Sequence, residues 1–448
     1  MLQTIIAILI FAYAMVNYKR GLIVYLALQI VWFKDAQLIN IPGLASINID
    51  LVMDIAFMLL YIIKKKKLKP KLSRVQFPLT VPFIILGVSW ILTSLSSYTN
   101  FTGEIVRAVG NICVKLLFIA MLWYVIEDHK DFVALFKYIT IIFFVACIYS
   151  LIEYTTQSNL VFDYKLSLTQ SALESYNTNE YAMAARGYRS YSLFEHSITT
   201  GLLYGFYLVF TMTILVIYKE KIEIKKIAIL TCILCIPGIL MTKMRTGIFF
   251  VLLGVLLVFW DYPMKANRKK FFKIVMIVGV VMAALVPIIS QYSDLIMSLF
   301  NQSKIEGSNT SWRLTQLQYI SRIGQDSFLV GFGEKFRSLS NITVFRKYTG
   351  DFESVWFEQF LAHGIIGVLG YIILVYYTTL RLAKEYKSKY LFRFSITYWI
   401  TYTMTSLPYF RTFLFYLILF YFIKKTDVYR RKNQRVERLK RMSIQKRI

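Results

Sequence analysis

The sequence predicts an all-α, polytopic membrane protein of about 12–13 transmembrane helices, with one long extracytoplasmic loop carrying short helices. Three observations predict it. Hydrophobic residues make up 57% of the 448 residues and charged residues only 17%, with a mean hydropathy of +0.54. A soluble domain this apolar would have too few polar residues to cover its surface. Apolar runs long enough to cross a bilayer recur along the whole chain. Finally, the net charge is +27, and the Lys and Arg collect in short segments between the apolar runs, as the positive-inside pattern requires. This composition excludes a secreted enzyme, a disordered chain and a nucleic-acid-binding domain. The basic excess reads instead as cytoplasmic loops facing anionic lipid.

Spans are expected near residues 3–18, 21–34, 49–63, 77–97, 105–126, 132–155, 191–217, 226–242, 246–262, 271–290, 355–380, 392–407 and 410–424. The first has no cleavage-site pattern and is soon followed by another, so it reads as a span and not as a signal peptide. Basic segments punctuate the series at Lys19-Arg20, Lys64 to Arg74, Lys219 to Lys226, Lys265 to Lys273, Arg381 to Arg393, and from Lys424 onward. If all are cytoplasmic, the N-terminus lies outside and the C-terminus inside. The chain then divides into N-terminal helices (1–155), an extracytoplasmic loop (156–190), central helices (191–290), a large extracytoplasmic loop (291–353), C-terminal helices (354–424) and a basic cytoplasmic tail (425–448). Long outer loops suggest function. The second is expected to hold an amphipathic helix around Trp312 to Ile323 and a turn at Gly331-Phe332-Gly333.

Common catalytic signatures are missing. The sequence has no P-loop, no H-E-x-x-H and no G-x-S-x-G elbow. Its three histidines, His129, His196 and His363, do not cluster, so no metal and no cofactor are expected. The four cysteines lie in apolar runs. Cys232-x-x-Cys235 reads as packing in the lipid phase. His363 is expected to be a buried, hydrogen-bonded residue more readily than a proton relay. Asp54 and Lys115 lie deep in their spans and are expected to pair.

The informative charges are outside. Helices starting near 191, 246 and 355 point their N-termini outward, with unpaired N–H groups and the positive dipole end. Arg186 and Arg189 precede the first, Lys243 and Arg245 the second, and Arg313 follows Trp312 in the long loop. Guanidinium forks at helix N-termini suit a phosphate or pyrophosphate. Taken singly, each arginine is equally readable as a snorkelling or salt-bridged residue. Asp351 and Glu353 stand where the third helix begins. A carboxylate there is a candidate general base, or a helix cap.

The pattern resembles the O-antigen ligase / O-antigen polymerase family over about residues 185–380. Arg189 to Gly201, with Phe194-x-His196, is similar to the family's Arg-x-x-Gly-x-Phe-x-His-Pro segment, with Ser192 and Ser197 in place of Gly and Pro. Met244-Arg245-Thr246 resembles Ser-Arg-Thr at the start of a span. Trp312-Arg313 followed by Phe328 to Gly333 resembles the loop arginine and its Gly-x-Gly turn. Glu353-Ser354-x-Trp356-Phe357, then Gly364 to Gly367, resembles His-Asn-x-Tyr-Leu followed by Gly-x-x-Gly. The resemblance implies an undecaprenyl-pyrophosphate-linked oligosaccharide donor, an acceptor hydroxyl on a growing polysaccharide, and no metal. Arg245 and Arg313 would bind pyrophosphate. Glu353 would be the base in place of the ligase histidine, with Asp351 and Glu195 as nearby alternatives. Arg186, Arg189, His196, Lys243, Trp312 and Asp351 would line the substrate site, Trp312 by stacking on a sugar face. Glutamate for histidine points to a repeat-unit polymerase in the bacterial cytoplasmic membrane. Membrane lipids, a flippase and a chain-length regulator are the further expected partners. A ligase with another acceptor, or a transporter of lipid-linked oligosaccharide or solute, are the alternatives.

Overall fold

The structure is a computed structural model that describes residues 2–32, 37–39, 47–68, 76–96, 98–166, 188–194, 196–217, 223–259, 310–349, 352, 354–405 and 412–426. The expected span near 271–290 and the tail beyond residue 426 lie outside these residues. Among the described residues the fold is helical, apart from a short antiparallel ribbon of β1 (Gln37–Ile39) and β2 (Ile47–Asn48). The helices are α1 (Leu2–Val16), α2 (Tyr18–Gln29), α3 (Ile49–Leu68), α4 (Thr80–Thr93), α5 (Phe101–Val125), α6 (His129–Thr156), α7 (Leu160–Leu166), α8 (Ser197–Met212), α9 (Lys225–Met241) and α10 (Arg245–Phe259). They continue with α11 (Thr310–Ile323), α12 (Ser340–Thr349), α13 (Val355–Glu385), α14 (Lys389–Thr403) and α15 (residues 412–426).

Four described helices are long and apolar enough to cross a membrane: Phe101–Val125, His129–Thr156, Ser197–Leu215 and Val355–Glu385. The remaining expected spans in the described residues coincide with shorter or more charged helices. The reason is local. At Asn17 the backbone leaves helical space (φ −128°, ψ 89°), and its side chain caps Arg20 N. One apolar stretch is thereby divided into α1 and α2. Gly21 lies against Ala14, where a Cβ would come within 2.5 Å of the alanine Cβ.

Contacts show which helix ends lie together. Lys424 Nζ donates to Trp123 O at 2.7 Å and Ile126 O at 2.6 Å. Lys19 pairs with Asp131 at 3.1 Å near the start of α6. One end of the bundle therefore gathers basic residues. α8 and α10 run side by side, with Gly201 on Gly247 and Val209 on Gly254. Phe210 and Phe394 both meet Phe422, while Tyr398 stacks on Phe415 at 3.9 Å. α14 thus rises from Phe394 to Met404, away from the Lys424 end and towards the end where α8 and α10 begin. That second end carries the candidate site.

Candidate functional site

The site is built on a carboxylate cage. Glu153 of α6 is buried and accepts hydrogen bonds from Asn159 Nδ2 (2.9 Å), Tyr188 OH (3.1 Å), Ser190 Oγ (2.5 Å), Tyr191 N (2.8 Å) and Ser192 N (2.6 Å). A buried charge is tolerable only when its lone pairs are satisfied in this way. Ser190 N also donates to Met241 O at 3.0 Å. The segment 188–192 is thereby pinned between α6, α8 and the end of α9, and Arg189 is buried within it, its Nη1 4.0 Å from Met244 Sδ.

Lys243 lies beside this arginine in a left-handed turn (φ 51°). Burial, and then the charge of Arg189, hold its ammonium below the ordinary lysine range. Two like charges kept this close favour an incoming anion. Arg245 opens α10 next to them, where the helix amides add the positive dipole end.

The long loop is seated by a broken helix. At Gly364, α13 departs from helical geometry (φ 63°, ψ −163°). A break inside a bundle exposes backbone groups that must find partners. Here the loop supplies them. Phe332 N donates to Leu361 O at 2.7 Å and Gly333 N to Ala362 O at 3.0 Å. In return Ile365 N donates to Phe328 O at 2.9 Å and Ile366 N to Leu329 O at 3.3 Å. Gly331 and Gly333 have positive φ (75° and 87°). A Cβ on Gly331 would lie 2.5 Å from the Ala362 and Gly364 backbone, and one on Gly364 2.3 Å from Leu329 O. The loop also has a small core of Ile320, Phe332, Phe336, Ile342, Phe352 and Leu361. Arg313, on α11, donates from Nη2 to Met404 O at 3.2 Å. It therefore stands at the end of the bundle where Arg245 begins α10.

Residues 230–372 match the O-antigen ligase family model. The matched segment runs from α9 through α10 and α11, across the Gly331-Phe332-Gly333 turn, to the broken helix. It contains Lys243, Arg245, Arg313 and Gly364. This supports a membrane enzyme of the O-antigen ligase/polymerase type, for which the family implies lipid-linked oligosaccharide substrates. No curated protein compared with the chain matches it.

The residues at which the sequence departs from the pattern it resembles each find a local partner or role. Ser192, which stands in place of glycine, is left-handed (φ 54°). Its hydroxyl bonds Ala146 O at 2.7 Å and Tyr204 OH at 2.9 Å, which holds the strained residue in place. Ser197, in place of proline, is the first residue of α8, a position that favours proline. Ser354, in place of asparagine, caps α13 by accepting from Trp356 N.

Arg189, Lys243 and Arg245 come together at one bundle end, and Arg313 reaches that end from the loop. His196 serves as the cap of α8, its Nδ1 accepting from Ile198 N at 3.1 Å. Trp312 lies in the first turn of α11. Arg186, Glu195, Asp351 and Glu353 lie outside the described residues. His363 is buried, with Nδ1 3.0 Å from Thr93 Oγ1 and Nε2 3.3 Å from Glu334 Oε1. Cys147 and Cys235 pack as free thiols, their sulfurs 3.6 Å apart.

The expected Asp54–Lys115 pair is not formed. Asp54 accepts from Tyr25 OH at 2.8 Å. Lys115 lies over the Trp90 ring and faces Glu334 instead. α5 contains a π turn at Ile112–Leu117, which changes the direction in which Lys115 projects. Sequence reasoning passed over Glu334, Glu104 and Asn111. The available signal was Arg107, Asn111 and Lys115 at four-residue spacing on one helix, with a glutamate directly after the Gly-x-Gly turn.

Proposed function

We propose that the protein is a polymerase of polysaccharide repeat units for capsule, exopolysaccharide or O-antigen. It would transfer glycan from an undecaprenyl-pyrophosphate donor to an acceptor sugar hydroxyl on the outer face of the bacterial cytoplasmic membrane. One observation carries the reading. Arg189, Lys243 and Arg245 converge at the N-termini of α8 and α10, with Arg313 at the same bundle end, and all but Arg189 lie in the matched segment.

In this reading the bond between the anomeric carbon and the pyrophosphate oxygen breaks. Negative charge grows on the leaving pyrophosphate, and fixed cations and helix amides stabilise it without reorganising. The acceptor oxygen attacks the opposite face of the sugar, which inverts the anomeric centre. Its proton passes to a carboxylate, for which Glu353 is the proposed base. The activated donor supplies the free energy, so the scheme needs neither ATP nor a metal. Arg186, His196, Trp312 and Asp351 are proposed to border the sugars. A flippase delivering donor and a chain-length regulator are proposed partners. The orientation follows from the basic bundle end, proposed to be cytoplasmic.

A ligase uses the same chemistry with a different acceptor, and the family description favours that second reading. Reconstitution with a lipid-pyrophosphate-linked repeat unit separates the two. A polymerase gives a regular product ladder that Glu353→Gln and Arg313→Ala abolish. A single addition to a foreign acceptor, with no ladder, would establish the ligase. A ladder that survives both substitutions would discard these two residues.

A further inference from the structure

A second ionic cluster lies where the loop enters the broken helix, and the transfer scheme does not use it. Its centre is Glu334, directly after the Gly331-Phe332-Gly333 turn. Asn111 Nδ2 donates to its Oε1 at 2.9 Å, and His363 Nε2 lies 3.3 Å from the same oxygen. Lys115 and Arg107 face it from α5. Its backbone N–H donates to Glu104 Oε1 at 2.5 Å, and Glu104 pairs with Arg107 at 2.5 Å. The loop's first residue beyond the turn is thus tied to α5 by backbone and side chain, and to α13 through His363.

His363 is held from both sides of its ring. Nδ1 lies 3.0 Å from Thr93 Oγ1, itself 3.1 Å from Ser89 O, which ties the ring to α4. Nε2 faces the Glu334 carboxylate. Gly367 makes this geometry accessible, since a Cβ there would lie 2.3 Å from the His363 Cβ.

Partial burial by itself would raise the Glu334 carboxyl, but Lys115, His363 and Arg107 outweigh it and hold it well below the usual carboxylate range. A carboxylate this committed to cations is a poor proton acceptor for a sugar hydroxyl. What it does well is hold position.

We propose that Glu334 is a positioning residue. Its carboxylate, clamped by Asn111 and His363 in the field of Lys115 and Arg107, fixes the loop turn in the break of α13. It thereby sets the placement of α11 and its Arg313. This rests on the proposed transfer reaction. The cation group of Arg189, Lys243 and Arg245 is not on the loop, so the clamp acts on turnover more than on donor binding.

The test uses the full-length protein in lipid, with Glu334→Gln, Lys115→Met and the double variant. Glu334→Gln keeps a hydrogen-bonding side chain but removes the carboxylate that Lys115 faces, while Arg107 keeps Glu104. A loop displaced by about 1 Å costs up to about a hundredfold in kcat, with KM for the donor within about threefold. Adding Lys115→Met removes one stranded cation and recovers about tenfold or more of the loss. An equal loss in the double variant, or a loss confined to KM, would overturn the proposal. Tryptic cleavage at Lys335 and Arg337 reads the clamp without activity. Cleavage is faster in Glu334→Gln than in wild type, and the double variant slows it again. If wild type transfers no glycan but this protection pattern holds, the transfer reading has failed and the clamp has not. Unchanged protection in Glu334→Gln would remove the clamp even if activity falls.

Discussion

Two glutamates anchor the two segments that form the site, and they do so by opposite means. Glu153 is held by neutral donors: two backbone amides, a serine, a tyrosine and an asparagine. Glu334 sits in the field of two cations, Lys115 and Arg107, with Asn111 and His363 as its side-chain neighbours. A neutral cage pins the segment 188–192, which carries Arg189, against α6. A cationic cage cancels the charge of Glu334 and ties together three chain segments distant in sequence. The first device positions a cation-bearing segment near the proposed pyrophosphate site. The second secures a loop.

The largest effect is expected from removing the seat of the second device. Gly364→Ala places a Cβ 2.3 Å from Leu329 O at a positive φ. Strain and clash together cost on the order of 4 kcal/mol or more. Loss of folded protein, measured as thermal unfolding in detergent, checks this. A stable, active Gly364→Ala protein would show that the loop does not rest in the break.

Glu153→Ala strands five donors around a buried void. It should destabilise by about 3–4 kcal/mol. Glu153→Gln retains some of the hydrogen bonds and should lose less stability. An equal loss for both would show that the hydrogen bonds glutamine can keep contribute little.

Arg245→Ala should lower transfer by about a hundredfold, or roughly 3 kcal/mol, by analogy with the loss of one preorganised donor. Stability should change little. A larger effect on unfolding than on turnover would make Arg245 a structural residue.

The smallest effects are in pH dependence. Lys243 has a lowered pKa, so its charge is lost at a lower pH than that of a free lysine. Donor binding should weaken as pH rises through that lowered value. Arg189→Ala removes one of the depressing influences and moves the fall to higher pH. KM for the donor against pH measures this. For Glu334 the sign is opposite. Its folded pKa is depressed, so its contribution is complete above the ordinary glutamate value near 4.3 and fades only as pH falls further. Tryptic protection of the loop should be flat between about pH 6 and 8.

Much of the fold was legible from periodicity and charge. The helix at Thr310–Ile323 and the turn at Gly331 to Gly333 lie where the sequence predicts them. The buried, bonded state of His363 was also legible, since a lone histidine in an apolar helix has to satisfy its nitrogens. The Asp54–Lys115 pair failed because depth in the membrane does not specify azimuth. A π turn at Ile112–Leu117 redirects Lys115, and Tyr25 satisfies Asp54. Glu334 was missed because the residue that makes it important, His363, is 29 positions away in a helix whose break depends on one glycine.

The sequence by itself determined what depends on composition and local chemistry. These are the helical membrane class, the basic bundle end, the grouping of cations before helix starts, and the caps and turns at Ser354, Gly331 and Gly333. Only the tertiary structure decided which cations meet, how Glu153 pins the segment that carries Arg189, and that the long loop completes the hydrogen bonds of a broken helix. The physical reason is that caps and periodicity are satisfied within a few residues of chain. The partner of a buried charge or an orphaned amide is set by which helices pack together, and no local pattern encodes that.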